Sequence, residues 1–207
     1  MKLPEIIGVA GTNGAGKDTL ADLRFEKQGI LKVGLSDILR TEEATRALAE
    51  GRDPDFSRES LGLIGKEWAR QFGAAALALM TLKEYADTKT DETKGISLVS
   101  IRRLAEAEAI KDAGGTIIWV DADRELRYRR LQEAKRDRPE DLDPFDVFCA
   151  KEDFEMYPAS DDPFLMNMAG VRDSADIHLE NNYEDNNGLT GKERYEAFLK
   201  TAFELAS

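Results

Sequence analysis

Residues 11–19 read Gly-Thr-Asn-Gly-Ala-Gly-Lys-Asp-Thr and contain the spacing Gly-x-x-x-x-Gly-Lys. The apolar run Ile-Ile-Gly-Val-Ala at 6–10 precedes this stretch, and a helical pattern follows it at 20–25. In this context the motif forms a loop whose backbone N–H groups and following helix N-terminus surround phosphates, whereas a plain glycine-rich turn lacks the flanking strand and helix. The residues expected to hold donor phosphates are Gly11, Thr12, Asn13, Gly14, Ala15, Gly16, Lys17, Asp18 and Thr19. Lys17 supplies a mobile charge for the transferring phosphate.

The composition is that of one globular domain. The chain has 207 residues, of which 42% are hydrophobic and 8% aromatic, and its formal net charge is −12. This acidity argues against binding the nucleic-acid backbone, and no apolar run approaches the ~18 residues of a membrane span. The lone Cys149 excludes an internal disulfide and suits a reducing compartment. We therefore expect a cytoplasmic monomer or homodimer whose partners are small molecules, without nucleic acid or membrane.

Apolar strand patterns alternate with helical ones along the chain. The expected strands are 5–10, 30–34, 96–101, 116–120 and 175–179, and the expected helices are 16–28, 36–50 with Ser36 as N-cap, about 61–72, 74–82, 104–113, 123–135, 145–156, 164–168 and 191–205. Such alternation predicts an α/β fold with a five-stranded parallel sheet and helices on both faces, in a single domain spanning 1–207. Ligands of such sheets bind at the carboxyl ends of the strands.

Two stretches, the end of the glycine loop and the residues after the second strand, carry a family resemblance. Asp18 stands where the general motif has Ser or Thr, and the resulting Gly-Lys-Asp-Thr resembles several deoxynucleoside monophosphate kinases, within the adenylate-kinase-like P-loop fold. Ser-Asp-Ile-Leu-Arg at 36–40 resembles the Gly-Asp-Met-Leu-Arg of nucleoside monophosphate kinases. The resemblance implies that Arg40, with Ser36 and Asp37 beside it, grips the acceptor phosphate in an insertion at about 36–90. An exposed helix arginine is the alternative.

The end of the third strand supplies a second such motif. Residues 102–108 are similar to the Arg-x-x-x-Glu-Ala-Glu of the same kinases. The resemblance implies that Arg102 contacts phosphates, and Glu106, one helical turn later, can accept from the amino group of a base. The alternative for Glu106 is a solvated partner of Arg102. Because Val99 and Ser100 replace the aspartate of the family, the candidate magnesium ligands are Asp18, Thr19 and Asp121.

A basic run follows the fourth strand. Its members are Arg124, Arg127, Arg129, Arg130, Lys135, Arg136 and Arg138. The resemblance implies a lid at about 124–144 in which Arg130, Arg136 and Arg138 offset charge on the transferring phosphate, although a charge run can also be a solvated face. It also implies that Asn181, after the fifth strand, lies near the donor adenine.

These motifs together predict a transferase that uses ATP and Mg²⁺ to phosphorylate a nucleoside monophosphate, with a deoxynucleotide slightly preferred. In-line transfer needs no covalent intermediate. Dephospho-coenzyme A kinase, which shares the loop, the lid and the late asparagine, is the alternative enzyme. A nucleotide-binding regulator without an acceptor is the alternative from another class, and the absent aspartate of the third strand favours it.

Overall fold

A central parallel sheet organises the protein. The computed structural model describes residues 1–134 and 142–205. Within these residues the strands are Ile6–Gly11 (β1), Leu31–Gly34 (β2), Ile96–Val99 (β3), Thr116–Asp121 (β4) and Ile177–Glu180 (β5). They form one sheet of order β2-β3-β1-β4-β5, and each neighbouring pair is parallel. The expected five-stranded parallel sheet is confirmed.

Helices cover both faces of this sheet, as the sequence predicts. They are Lys17–Gln28 (α1), Leu35–Glu50 (α2), Arg58–Phe72 (α3), Ala76–Thr88 (α4), Leu104–Asp112 (α5), Arg124–Ala134 (α6), Phe145–Met156 (α7), Met168–Ser174 (α8) and Gly191–Ala202 (α9). The described helices include none that is both long enough and apolar enough to cross a bilayer.

The core has two layers because alternate strand residues point to opposite faces. Ile7 and Val9 of β1 pack with α1 and α9 on one face. On the other face, Ile96 and Leu98 of β3 pack beneath the group formed by α2, α3, α4, α5 and α8. Both strands are buried on both faces, which explains why their sequences read as continuous apolar runs.

Several predicted boundaries are wrong, each for a local reason. Strand β3 ends at Val99 rather than at 101 because Ser100 has a φ of 67° and turns the chain. Gly34, not Ser36, is the N-cap of α2. Residues 164–168 do not form the predicted helix, because the Asn167 side chain accepts from Gly170 N and begins α8 at Met168.

Two further elements are displaced from their predictions. Helix α4 spans Ala76–Thr88 instead of 74–82. Strand β5 spans Ile177–Glu180 instead of 175–179. The Asp176 carboxylate accepts from Ile117 N at 2.8 Å, which fixes the chain just before β5 begins. The loops after β1, β3, β4 and β5 meet at the carboxyl edge of the sheet.

Candidate active site

The loop between β1 and α1 is shaped to surround an anion. Gly14 and Gly16 have φ angles of 82° and 86°, a region that side chains disfavour, and a Cβ on Gly16 would lie 2.6 Å from Asn181 Nδ2. Among the described residues, no backbone carbonyl or side chain accepts from the amides of Asn13, Gly14 or Gly16. Helix α1 begins directly afterwards at Lys17. The loop therefore offers backbone donors and a helix N-terminus to one ligand.

Side chains from three other segments hold this loop from behind. Asn181 Nδ2 donates to Ala15 O at 2.8 Å, and Arg127 Nη1 donates to Asn13 O at 3.1 Å. Thr12 Oγ1 donates to Asp121 Oδ1 at 2.7 Å. Because the Asn13 and Ala15 carbonyls and the Thr12 hydroxyl bond these segments, the amides of Asn13, Gly14 and Gly16 are left for a ligand. Asn181 thus supports the loop, and its expected position near the donor adenine stays a prediction.

Lys17 lies at the start of α1 among opposite charges. Its Nζ is 3.7 Å from Asp18 Oδ2, and Lys32 Nζ is 3.3 Å from Asp18 Oδ1. Burial disfavours ionisation of Asp18, but the charges of Lys17 and Lys32 outweigh it and hold the pKa of this carboxyl below its ordinary value. Asp18 is therefore an ionised group next to the phosphate loop.

A cleft of about 850 Å³ opens in front of the loop. Gly11, Thr12, Asn13 and Lys17 form one end, Ser100 and Arg102 follow from β3, and α3, α7 and the segment 158–168 form the walls. Most of the walls are apolar, and they include Leu63, Phe148, Phe154, Met156, Phe164, Leu165, Met166 and Met168. The charged lining consists of Lys17, Arg58, Glu59, Lys66, Arg102, Arg103, Asp143, Lys151, Glu152 and Glu155. A volume of this size is typical of a small-molecule site.

Two guanidiniums in the cleft share one carboxylate. Arg58 Nη2 lies 2.5 Å and Arg102 Nη1 lies 3.1 Å from the same oxygen of Glu155, Oε2. The Glu155 side chain is only 17% exposed. Burial opposes its charge, yet Arg102 and Arg58 lower the pKa of Glu155 overall, and Lys17 contributes in the same direction. The Glu155 carboxylate is therefore ionised at neutral pH and lies within the electrostatic reach of the phosphate loop.

Glu106 has a different place from the one expected. It is 2% exposed, and its Oε2 accepts from the backbone amides of Arg102 and Arg103 at 2.9 and 3.1 Å. Its Oε1 accepts from Arg103 Nη1 at 3.3 Å, and Arg103 Nε donates to Phe164 O. Glu106 thus caps the start of α5 and fixes the backbone of Arg102, and neither the base-reading role nor the solvated-partner role fits this geometry.

The predicted acceptor residues of α2 lie away from the cleft lining. Asp37 is exposed, and Arg40 Nε is 3.7 Å from Asp37 Oδ1 while its guanidinium stacks on Phe56. Ser36 Oγ donates to Ser100 Oγ at 3.3 Å, which connects α2 to the end of β3. The structure therefore brings Arg102, but not Arg40, together with Lys17.

The arginines of α6 are engaged by protein groups. Arg127 is 3% exposed and donates to both oxygens of Glu152 and to Ala122 O. Arg124 also bonds Glu152, at 2.9 Å. Arg130 Nη2 donates to the carbonyls of Asn181 and Tyr183 at 2.9 and 2.8 Å. These three arginines of the basic run join α6 to α7 and to the segment after β5. Arg136 and Arg138 lie outside the described residues.

The site fits a nucleotide polyphosphate better than a cation held by protein alone. The described residues contain no group of three or more His, Cys, Asp or Glu side chains arranged for a metal. Of the three candidates, Asp121 is engaged by Thr12, by Ala122 N at 2.8 Å and by Arg127, and it lies outside the cleft lining. Asp18 and Thr19 remain next to the phosphate loop. Magnesium commonly takes one or two protein ligands and completes its shell with phosphates and water.

Known relatives decide the family. Two UPF0200 proteins of Halobacterium salinarum, from strains R1 and NRC-1, are each 33% identical to this chain over 181 residues, which cover 85% of the chain and 84% of each relative. This chain belongs to the UPF0200 family. A UPF0200 protein of Thermococcus onnurineus is 24% identical over 146 residues, covering 68% of the chain and 75% of the relative. No protein-family model matches the chain.

Solved structures share the fold of this UPF0200 protein. TT1252 from Thermus thermophilus superposes with a TM-score of 0.53 and 20% identity, covering 97% of this chain and 98% of its own. Shikimate kinase from Bacteroides thetaiotaomicron gives a TM-score of 0.54 and 15% identity, with 96% and 98% covered. The sheet order, the loop after β1 and these neighbours establish the P-loop kinase-like fold.

Sequence reasoning missed the cleft residues of α3 and α7 in the UPF0200 protein. Arg58, Gly62 and Lys66 recur every four residues, so they form one face of α3 towards the cleft. That spacing is visible in the sequence, and it could have indicated a basic helix face. Glu155, in contrast, is 97 residues from Arg58, and no local pattern connects the two.

Proposed function

We propose that this protein is an ATP-dependent phosphotransferase whose acceptor is a nucleoside monophosphate. The observation that carries the proposal is the common cleft: the phosphate loop with Lys17 forms one end, and the Arg58 and Arg102 guanidiniums lie along it. Two anions that must approach for phosphoryl transfer need positive charge on both sides of the transfer point. An acceptor phosphate suits forked guanidiniums better than it suits an ammonium group.

The loop binds the donor, and the residues after β3 bind the acceptor. The amides of residues 11–17 hold the β-phosphate of the donor, and Lys17 follows the phosphoryl group as it moves. Arg102 orients the acceptor phosphate, and Glu106 fixes the Arg102 backbone because its Oε2 accepts a hydrogen bond of 2.9 Å from the Arg102 amide. Asp18 or Thr19, together with the donor phosphates, would hold magnesium, which would supply charge neutralisation. The segment 124–144 is proposed as the lid and 36–90 as the acceptor-binding region.

The apolar walls favour an acceptor with a flat or apolar body. Phe154, Met156, Phe164 and Met166 line the cleft beyond the arginines, and aromatic and thioether groups pack well against a nucleobase. The length of this apolar lining also favours the second candidate, dephospho-coenzyme A, because its pantetheine arm is long and only partly polar. The two acceptors differ in chemistry, since one offers a phosphate oxygen and the other a ribose hydroxyl.

An acceptor panel tests the proposal. The protein is incubated with Mg-ATP and, separately, with ribo- and deoxynucleoside monophosphates or dephospho-coenzyme A, and ADP formation is followed. A rate increase with one or more monophosphates is expected. Stimulation by dephospho-coenzyme A alone would replace the proposal with the second candidate. ATP binding without stimulation by any acceptor would favour the nucleotide-binding regulator.

Lys17→Ala provides the matched test of the site. Loss of the charge that accompanies the phosphoryl group should abolish transfer while the melting temperature stays close to that of the wild type. Lys94→Ala is the control, because Lys94 is exposed and precedes β3 at the opposite edge of the sheet. Undiminished transfer in Lys17→Ala, or an equal loss in Lys94→Ala, would contradict the assigned role.

A further inference from the structure

The Glu155 carboxylate lies where an anion of the acceptor would be expected to bind. Its Oε2 is 2.5 Å from Arg58 Nη2 and 3.1 Å from Arg102 Nη1, inside the cleft that also contains Lys17. Glu155 comes from α7, while its partners come from α3 and from the end of β3. One carboxylate thus bridges two elements of the acceptor side of the cleft.

The geometry of this bridge leaves it open to competition. The Arg58 and Arg102 guanidiniums both contact Glu155 Oε2, with the Lys17 ammonium in electrostatic reach. A phosphate dianion can satisfy both guanidiniums with separate oxygens, whereas Glu155 uses one oxygen for both. The half-buried, largely apolar surroundings strengthen whichever of the two pairings forms.

We propose that Glu155 is an internal competitor for the anion subsite of Arg58 and Arg102, and that it makes this subsite selective for dianionic phosphate over monoanionic carboxylate. This inference rests on the proposed function in taking the cleft as the acceptor site. A phosphate group displaces the Glu155 carboxylate because it brings one more negative charge to the two guanidiniums. A carboxylate ligand only replaces one monoanion by another and gains nothing for the displacement.

Protonation does not release the bridge at neutral pH. The Arg102 and Arg58 charges lower the pKa of Glu155 despite its burial, so the carboxylate remains charged over the whole range in which phosphate is dianionic. The groups that face it are Arg58 on α3, Arg102 after β3 and Lys17 on α1. Displacement therefore requires a competing anion rather than a change in pH.

Calorimetric titration of inorganic phosphate tests the inference. The protein is first saturated with Mg²⁺ and a non-hydrolysable ATP analogue, so that the phosphate loop is occupied, and phosphate is then titrated into wild type, Glu155→Gln and Asp146→Asn. Asp146 is an exposed residue at the start of the same helix and lies outside the cleft lining, so its variant matches the change of charge.

We expect Glu155→Gln to bind phosphate about tenfold more tightly than wild type, because loss of one charge-assisted competitor changes affinity by at least that factor. Asp146→Asn should change it less than twofold. Acetate should bind wild type weakly and gain more than phosphate does in Glu155→Gln, and an equal gain for the two anions would contradict the selectivity. Equal phosphate affinity in Glu155→Gln and wild type would overturn the inference.

A second variant guards against misfolding of the first. Glu155→Asp keeps the charge but shortens the reach to both guanidiniums, so phosphate affinity should fall between those of wild type and Glu155→Gln. No gain in Glu155→Asp, with an unchanged melting temperature, would also overturn the inference. Failure of the analogue itself to bind would instead contradict the proposed function, and the two failures are therefore distinguishable.

Discussion

The side chain of Asn181 offers a sensitive test of how the phosphate loop is held. Asn181 is 4% exposed, its Nδ2 donates to Ala15 O at 2.8 Å, and Ala15 itself is fully buried. Replacement by alanine leaves the Ala15 carbonyl without this donor in a place that water does not reach. Loss of one partner of a buried hydrogen bond costs about 1–3 kcal/mol. We expect Asn181→Ala to lower the free energy of unfolding by that amount.

The same change should weaken nucleotide binding. If the cost falls on the loop, ATP affinity drops by roughly fivefold to a hundredfold, since 1.4 kcal/mol corresponds to a factor of ten. Asn182→Ala is the control, because Asn182 is the next residue, is exposed, and accepts a hydrogen bond at 2.8 Å from Asp123 N, which lies outside the phosphate loop. Urea unfolding and calorimetric ATP titration measure the two effects. Equal losses of stability and ATP affinity in both variants, or an unchanged ATP affinity in Asn181→Ala, would show that Asn181 does not hold the loop in its binding shape.

Three further predictions concern two ion pairs and one backbone angle. The hydrogen bond from Arg52 lowers the pKa of Glu43 from 4.5 to about 2, so the ionised carboxylate stabilises the fold fully above pH 4.5 and this stability is lost as the pH falls towards 2. In urea unfolding, the free energy of Glu43→Gln should therefore fall less steeply with acid than that of wild type. Parallel pH dependences of the two proteins would contradict this. Because Ser100 has a φ of 67°, the free energy of unfolding from urea denaturation should be about 1 kcal/mol higher for Ser100→Gly than for Ser100→Ala. Equal values would exclude backbone strain at this position. Arg127→Met leaves the buried Glu152 carboxylate short of a partner and should lower the free energy of unfolding by about 3 kcal/mol or more. Adding Glu152→Leu should recover part of this loss. A double variant no more stable than Arg127→Met would count against this ion pair.

The fold was predictable because its signals are local. The phosphate loop combines a buried apolar strand, glycines and a helix within about twenty residues, and the strands of the sheet read as short apolar runs between helical patterns. Parallel pairing then follows from the alternation of strands and helices. The boundary errors arose where one side chain or one backbone angle decides the matter, as Asn167 does at α8 and Ser100 does at β3.

The site was only partly predictable because its partners are distant in sequence. Arg102 could be placed at the carboxyl edge of the sheet from its position after a strand. The pairing of Glu155 with Arg58 depends on how α7 packs against α3, which no local pattern encodes. Arg127 shows the same effect in reverse: it belongs to the basic run expected to form a lid, but burial against Glu152 gives it a structural task.

A crystal structure of the protein with Mg²⁺, a non-hydrolysable ATP analogue and a nucleoside monophosphate would show directly whether donor and acceptor share this cleft. We expect the β-phosphate of the analogue to lie within hydrogen-bond distance of the amides of residues 13–17. We also expect the acceptor phosphate to lie between Arg58 and Arg102, with the Glu155 carboxylate moved away from both. An analogue bound away from the loop, or a monophosphate that leaves the two arginines on Glu155, would contradict these expectations.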